Sequence, residues 1–275
     1  MTGGSAGLGR RVVLIGAFTV SFVAAAWLSS RLQPSRVLAR GQPAPPLSVY
    51  GGAPLAALPS AFDVRHLPSA GGSVADTRWA PVLRATVARD APNRKAGAVG
   101  QLSRLTPDGT TNIVVADGEA DVDGAAWVRV DLSILPNDTK GWVPRSSLGG
   151  WSFVDTRLVI DRGRFTATLY RAGHVIFRAQ VGVGAPGTPT PAGQFYVRDR
   201  LSGFSSPMYG PLAFGTNARS PTLTDWPGGG VVGIHGTDQP ALIPGRISHG
   251  CVRLTNAAIL KLGKLMPIGT PVMIE

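Results

Sequence analysis

From Pro81 onward the sequence is a succession of short apolar runs broken by turn signals, and this punctuation restricts the fold more than any other feature. Ala85-Thr86-Val87, Ile113-Val114-Val115 and Trp127-Val128-Arg129-Val130 read as strands. Between them stand Pro92-Asn93, Pro107-Asp108-Gly109 and Pro136-Asn137-Asp138. Such clusters reverse the chain because Pro presets φ while Gly, Asn and Asp tolerate turn geometry. The pattern continues through residues 157–161, a turn at Gly163, and residues 165–170, 174–183 and 272–274. Only one stretch holds a helical period. It has Asn256 as a cap, Ile259, Leu262 and Met266 on one face, and Pro267 to stop it. Many strands and one late helix predict a mainly β fold, an antiparallel sandwich or barrel rather than a parallel α/β sheet.

The N-terminal quarter is different. Residues 12–30 carry no charge and are flanked by Arg11 and Arg31. A run of this length just suffices to cross a bilayer as a helix. Arg10-Arg11 followed by Ala24-Ala25-Ala26 also fits a cleaved signal peptide. Trp27 suits an interfacial anchor, so residues 12–30 are expected to be a transmembrane anchor or signal segment after a short cytoplasmic stretch, 1–11. The bulk of the chain is then extracytoplasmic. Residues 31–79 hold Pro43, Pro45, Pro46, Pro54, Pro59 and Pro68 and read as an extended linker. Two β domains are expected beyond it, over 80–150 and 151–275. The net charge is +11, and Arg10, Arg11, Arg31, Arg36 and Arg40 supply five of it with no acid among the first 50 residues. The rest is scattered, without the basic stripe and aromatic platforms of a nucleic-acid binder. A single Cys excludes an internal disulfide framework and any Cys-rich zinc module.

That Cys lies in Ile247-Ser248-His249-Gly250-Cys251-Val252-Arg253-Leu254, with Ile234-His235-Gly236-Thr237 upstream. A thiol becomes a strong nucleophile when a neighbouring imidazole takes its proton. His249 and Cys251, two apart, would share one face of a strand. Gly236 and Gly250 remove side-chain bulk beside each His, letting backbone groups approach a substrate as an oxyanion site requires. Arg253, two further on, would offer a guanidinium to a carboxylate. The plain alternatives are a buried Cys acting as a small hydrophobe and His residues serving only in turns. A Cys/His/His zinc site lacks an evident fourth ligand.

These residues resemble the L,D-transpeptidase catalytic domain, also called the YkuD domain. The resemblance rests on His235-Gly236-Thr237, Ser248-His249-Gly250-Cys251 and Arg253. It extends through Val181-Gly182-Val183-Gly184, the run Thr188-Pro189-Thr190-Pro191-Ala192-Gly193-Gln194-Phe195, and Gly269-Thr270-Pro271-Val272. Trp127-Val128-Arg129-Val130, followed by Gly141-Trp142-Val143-Pro144, similarly resembles the end of a small bacterial SH3-like barrel. That module either binds wall peptide or only packs.

The resemblance implies a β-sandwich enzyme acting on peptidoglycan stem peptides, donor and acceptor, with no metal or organic cofactor. It implies Cys251 as nucleophile, attacking the carbonyl before a terminal D-alanine to form an acyl-enzyme. An amine of a second stem then resolves it into a 3→3 cross-link. It ranks His235 as the base, oriented by a backbone carbonyl near Gly236, although adjacency alone favours His249. It places His249, Gly250 and the Cys251 backbone at the oxyanion site, Arg253 on a substrate carboxylate, and carbapenem-type β-lactams as covalent inhibitors. Ser248 is a further candidate for substrate contact. Residues 201–225 read as a long irregular insertion and a lid, with Tyr209, Phe214 and Trp226 as groove aromatics or core. A hydrolase trimming stems with water, and a non-catalytic wall-binding protein, are the rival readings.

Overall fold

The computed structural model describes residues 77–223 and 230–275. The segment expected to be a transmembrane anchor or signal, 12–30, and most of the expected linker lie outside the described residues. The first strand, β1 (Thr77–Pro81), begins inside the range expected for the linker. After it come β2 (Thr86–Arg89), β3 (Ala98–Leu102), β4 (Ile113–Val122), β5 (Ala125–Asp131), β6 (Lys140–Pro144) and β7 (Ser152–Val154). They form one antiparallel sheet in the order β3-β2-β6-β5-β4-β1-β7. Val82, Val114, Val128, Val130 and Val143 make its core, each at most 1% exposed.

The second sheet contains β8 (Thr156–Asp161), β9 (Thr166–Arg171), β10 (His174–Gln180), β11 (Gly182–Gly184), β12 (Gly193–Ser202), β13 (Leu212–Arg219), β14 (Val231–His235), β15 (Gly245–Ser248), β16 (Val252–Arg253) and β17 (Pro271–Ile274). Its order is β10-β9-β8-β17-β12-β13-β14-β16-β11-β15. The first half of β12 pairs with β17 and the second half with β13, with a register shift between Val197 and Asp199. One strand thus serves both halves of the sheet. Leu158, Ile160 and Leu169 from one half meet Phe214, Ile234 and Val252 from the other in a single core.

The expectation of a wholly antiparallel sheet is corrected. Three pairs, β8 with β17, β14 with β16 and β11 with β15, are parallel. Each of these returns is made by a longer connection than a hairpin, and short apolar runs carry no mark of direction. Likewise residues 174–183 are two strands with different partners, β10 on β9 and β11 on β15 and β16.

The helix α1 (Asn256–Leu265) buries Ile259 and Leu262, with Met266 just past its end, as their spacing requires. Its cap is Thr255, whose hydroxyl accepts the Ala258 N–H at 3.3 Å, and not Asn256. Gly263 is a glycine because a Cβ there would collide with Leu212. The two sheets also share a buried cluster. Ile113 and Val115 pack with Tyr196, joined by Trp79 and Ile268. The Tyr196 hydroxyl lies 3.1 Å from the Ile113 carbonyl and 3.3 Å from that of Asp131.

Candidate active site

One pair of parallel strands sets the site. β14 and β16 align Ile234 with Val252 and His235 with Arg253. Successive strand residues face opposite ways. Val232, Ile234, Val252 and Leu254 face the core and are buried. Gly233, His235, Cys251 and Arg253 therefore take the other face, where a cleft opens. Tyr209, Ser220, His235, His249, Cys251 and Arg253 are among its walls. The Gly233 N–H donates to Cys251 Sγ at 3.3 Å.

His249 and Cys251 reach this cleft, but not as neighbours on a strand. β15 ends at Ser248, and the chain bends through Gly250 at φ +119°, a backbone region that L side chains rarely adopt. Gly250 is therefore required by conformation rather than by bulk, since a Cβ there would come no closer than 3.7 Å to its nearest neighbour, the Pro189 carbonyl oxygen. His249 is exposed at the rim, and Cys251 is half-buried. Ser248 also lines the cleft. It is buried, and its hydroxyl donates to the Cys251 carbonyl at 2.5 Å and accepts the Gly250 N–H at 3.1 Å. It shapes the loop.

His235 is 3% exposed, and its Nδ1 lies 2.6 Å from the Gly236 carbonyl. A carbonyl only accepts, so Nδ1 carries the proton and Nε2 the basic lone pair. Burial lowers the pKa of this imidazole to about 4; the Gly236 bond opposes the shift and the nearby Arg253 charge adds to it. Burial also pushes the Cys251 thiol up, against the Gly233 N–H and Arg253. At neutral pH the site thus holds a neutral thiol and a neutral imidazole. Arg253 Nε is buried with no hydrogen-bond partner among the described residues. An open guanidinium donor in a cleft wall suits an anionic group on a ligand.

Residues 201–225 are not one irregular insertion. β13 occupies their centre, paired with β12 and β14, and Phe214 is fully buried in the core, where it cannot line a groove. The alternation of this strand was hidden because nearly all of it is buried. Tyr209 does line the cleft, from a short 3-10 turn, Pro207–Tyr209, and its ring meets that of His235 edge-on at 5.1 Å. Trp226 lies outside the described residues. Gly236 makes room for protein rather than ligand: a Cβ there would press on Asn256 Oδ1 and stand 3.1 Å from Gly210 Cα. Freed from capping, Asn256 Oδ1 accepts the Thr237 N–H at 2.9 Å.

Thr188 and Thr190 carry a role that the sequence did not disclose. Thr188 Oγ1 donates to the Ser248 carbonyl at 3.3 Å, and Thr190 Oγ1 to the Gly250 carbonyl at 2.8 Å. The Thr-Pro-Thr run therefore holds the Cys loop from behind. Among the described residues no group of three or more His, Cys, Asp or Glu side chains converges as a metal-ligand set.

A thiol, a buried imidazole and an unpartnered guanidinium donor thus meet in one cleft. Residues 155–274 match the family model of YkuD, the L,D-transpeptidase catalytic domain. Over 118 residues the chain is 32% identical to the YkuD protein of Bacillus subtilis (strain 168), covering 43% of this chain and 65% of that protein. It is 30% identical to the YkuD protein of Bacillus licheniformis, covering 43% and 64%. The chain thus spans just under two thirds of the length of these relatives. An Enterococcus faecium L,D-transpeptidase structure aligns with 44% of this chain and 49% of its own at 26% identity, with a TM-score of 0.35. The family model and the relatives support a YkuD-type L,D-transpeptidase catalytic domain in this chain.

Proposed function

We propose that the protein is a peptidoglycan L,D-transpeptidase with Cys251 as nucleophile. The observation that carries this reading is the tautomer imposed on His235. Its Nδ1 is committed to the Gly236 carbonyl, which leaves Nε2 as the basic atom of a ring that lines the same cleft as Cys251. In the first half-reaction Cys251 Sγ bonds to the stem carbonyl and the C–N bond to D-alanine breaks. The thiol proton passes through His235 to the departing amine. In the second, an amine of a neighbouring stem attacks the thioester, the thiol leaves and regains a proton through His235, and a 3→3 cross-link remains. The bend at Gly250, with His249 at its rim, supplies the oxyanion site, and Arg253 takes a stem carboxylate. Tyr209 covers His235 and limits water at the thioester.

The wider reading follows from the same activity. Carbapenem-type β-lactams acylate Cys251. The N-terminal sheet is an SH3-like module that helps to place the enzyme at the wall. Residues 12–30 hold or export the chain so that it works outside the cytoplasm. The test uses residues 41–275 with a disaccharide-tetrapeptide, read by mass spectrometry, with Cys251→Ala alongside. A Cys251-dependent dimer lacking one D-alanine is the expected product. Cys251-dependent tripeptide without dimer would instead make the protein a hydrolase, and unchanged substrate would remove the reading.

A further inference from the structure

Thr190 is 1% exposed and stands between two backbone groups. Its Oγ1 accepts the Gly184 N–H at 2.8 Å and lies 2.8 Å from the Gly250 carbonyl. The direction of the second bond is fixed. A carbonyl has no proton to give, so the hydroxyl hydrogen points to Gly250. Gly184 is matched to this arrangement, since a Cβ there would run into the Thr188 carbonyl and the Thr190 N–H. The peptide between Gly250 and Cys251 is trans, because the cis bonds are at Pro136 and Pro244. In a planar trans peptide the C=O and the N–H point in opposite directions. Pinning the Gly250 carbonyl inward onto Thr190 therefore turns the Cys251 N–H outward, to the side of the cleft.

We propose that Thr190 is the positioning residue of the oxyanion site: its hydroxyl locks the Gly250–Cys251 peptide so that the Cys251 N–H faces the acyl oxygen. This rests on the acyl-transfer reading above. Thr190 touches no substrate and acts through one peptide plane. The pairing also explains why a Gly-rich strand, β11, and a Thr-Pro-Thr run accompany the Cys motif, although both lie some 60 residues before it in the chain.

Two reagents separate this role from a merely structural one. Acylation by a carbapenem forms an Sγ–C bond and breaks the lactam C–N bond, with the thiol proton passing to the lactam nitrogen; it goes through a tetrahedral oxyanion. Alkylation by iodoacetamide forms an Sγ–C bond at a saturated carbon, expels iodide and makes no oxyanion. Both rates are measured on the full chain by intact mass, for the wild type, Thr190→Val and Thr190→Ser. The expected result is acylation about 10- to 100-fold slower in Thr190→Val, with alkylation within about twofold of wild type and acylation largely restored in Thr190→Ser. Acylation undiminished in Thr190→Val, or both reactions slowed together, overturns the inference. A wild-type chain that is alkylated but never acylated overturns the acyl-transfer reading, and the inference with it. Should Thr190→Val fail to fold, the wild-type chain still decides. Its Cys251 amide proton should move downfield on acylation, and an unmoved resonance overturns the proposal.

Discussion

The buried imidazole of His235 makes a numerical statement about acid tolerance. Burial dominates its shift, the Gly236 carbonyl partly offsets it, Arg253 reinforces it, and the net value is about 4. An ordinary imidazole titrating near 6.5 is about 90% protonated at pH 5.5, whereas one titrating near 4 is about 3% protonated there. The fraction able to accept the thiol proton would then fall about tenfold between pH 7.5 and 5.5 in the first case, and by a few per cent in the second. Raising the pH brings no early second limb, because burial also holds the Cys251 thiol above its ordinary value. The assay is the second-order rate of Cys251 acylation by a carbapenem, in stopped flow with a mass readout, at constant ionic strength. The expected profile is flat from neutrality to about pH 5, with half-loss near 4. Half-loss near 6.5 would refute the reasoning, since it would mean that the acting imidazole is not a buried one.

Two further substitutions test the electrostatics and the packing. Arg253→Gln removes a charge that lowers both groups, so the acid limb should move up in pH and the thiol should become harder to ionise; KM for a carboxylate-bearing donor should rise about tenfold or more, while an amidated donor is little affected. Tyr196→Phe leaves the Ile113 and Asp131 carbonyls without their shared hydroxyl, and should cost about 1–2 kcal/mol in urea unfolding with the acylation rate intact.

The parts of this molecule that were legible in its sequence are those with a strict local signal. Ile259, Leu262 and Met266 keep a helical period and are buried as it demands. The strand runs around Val114 and Val128 are bounded by turn residues and lie where those residues put them. Cys251, His235 and Arg253 were picked out by chemistry, and the register of β14 on β16 brings them to one cleft. What was not legible depends on pairing between distant segments. Nothing local marks β14 and β16 as parallel. Nothing local gives Phe214 to the core, because a strand buried on both faces loses its alternation. Thr255 and Asn256 are both acceptable caps, and the choice between them is made by the Thr237 N–H, which needs the Asn256 carboxamide.

The same dependence on distant partners ties the N-terminal sheet to the cleft. Asn137, in the turn before β6, accepts the Arg219 N–H at 2.8 Å and donates to the Arg219 carbonyl at 2.8 Å. Arg219 in turn sends its Nε to the Ser133 carbonyl at 2.9 Å. Arg219 ends β13, and the next residue, Ser220, is a wall of the cleft. Both polar groups of one peptide segment are thus satisfied by a side chain of the other sheet. A catalytic fragment cut after β7 would leave them unpaired beside the site, at a cost of about 1–3 kcal/mol for each group that water does not reach. The seam is also apolar at Trp79, Ile113 and Tyr196, so the cut would expose a surface that is dry in the intact chain. The segment that leads into Ser220 is therefore held in part by the first sheet, and a fragment without that sheet is expected to lose these contacts.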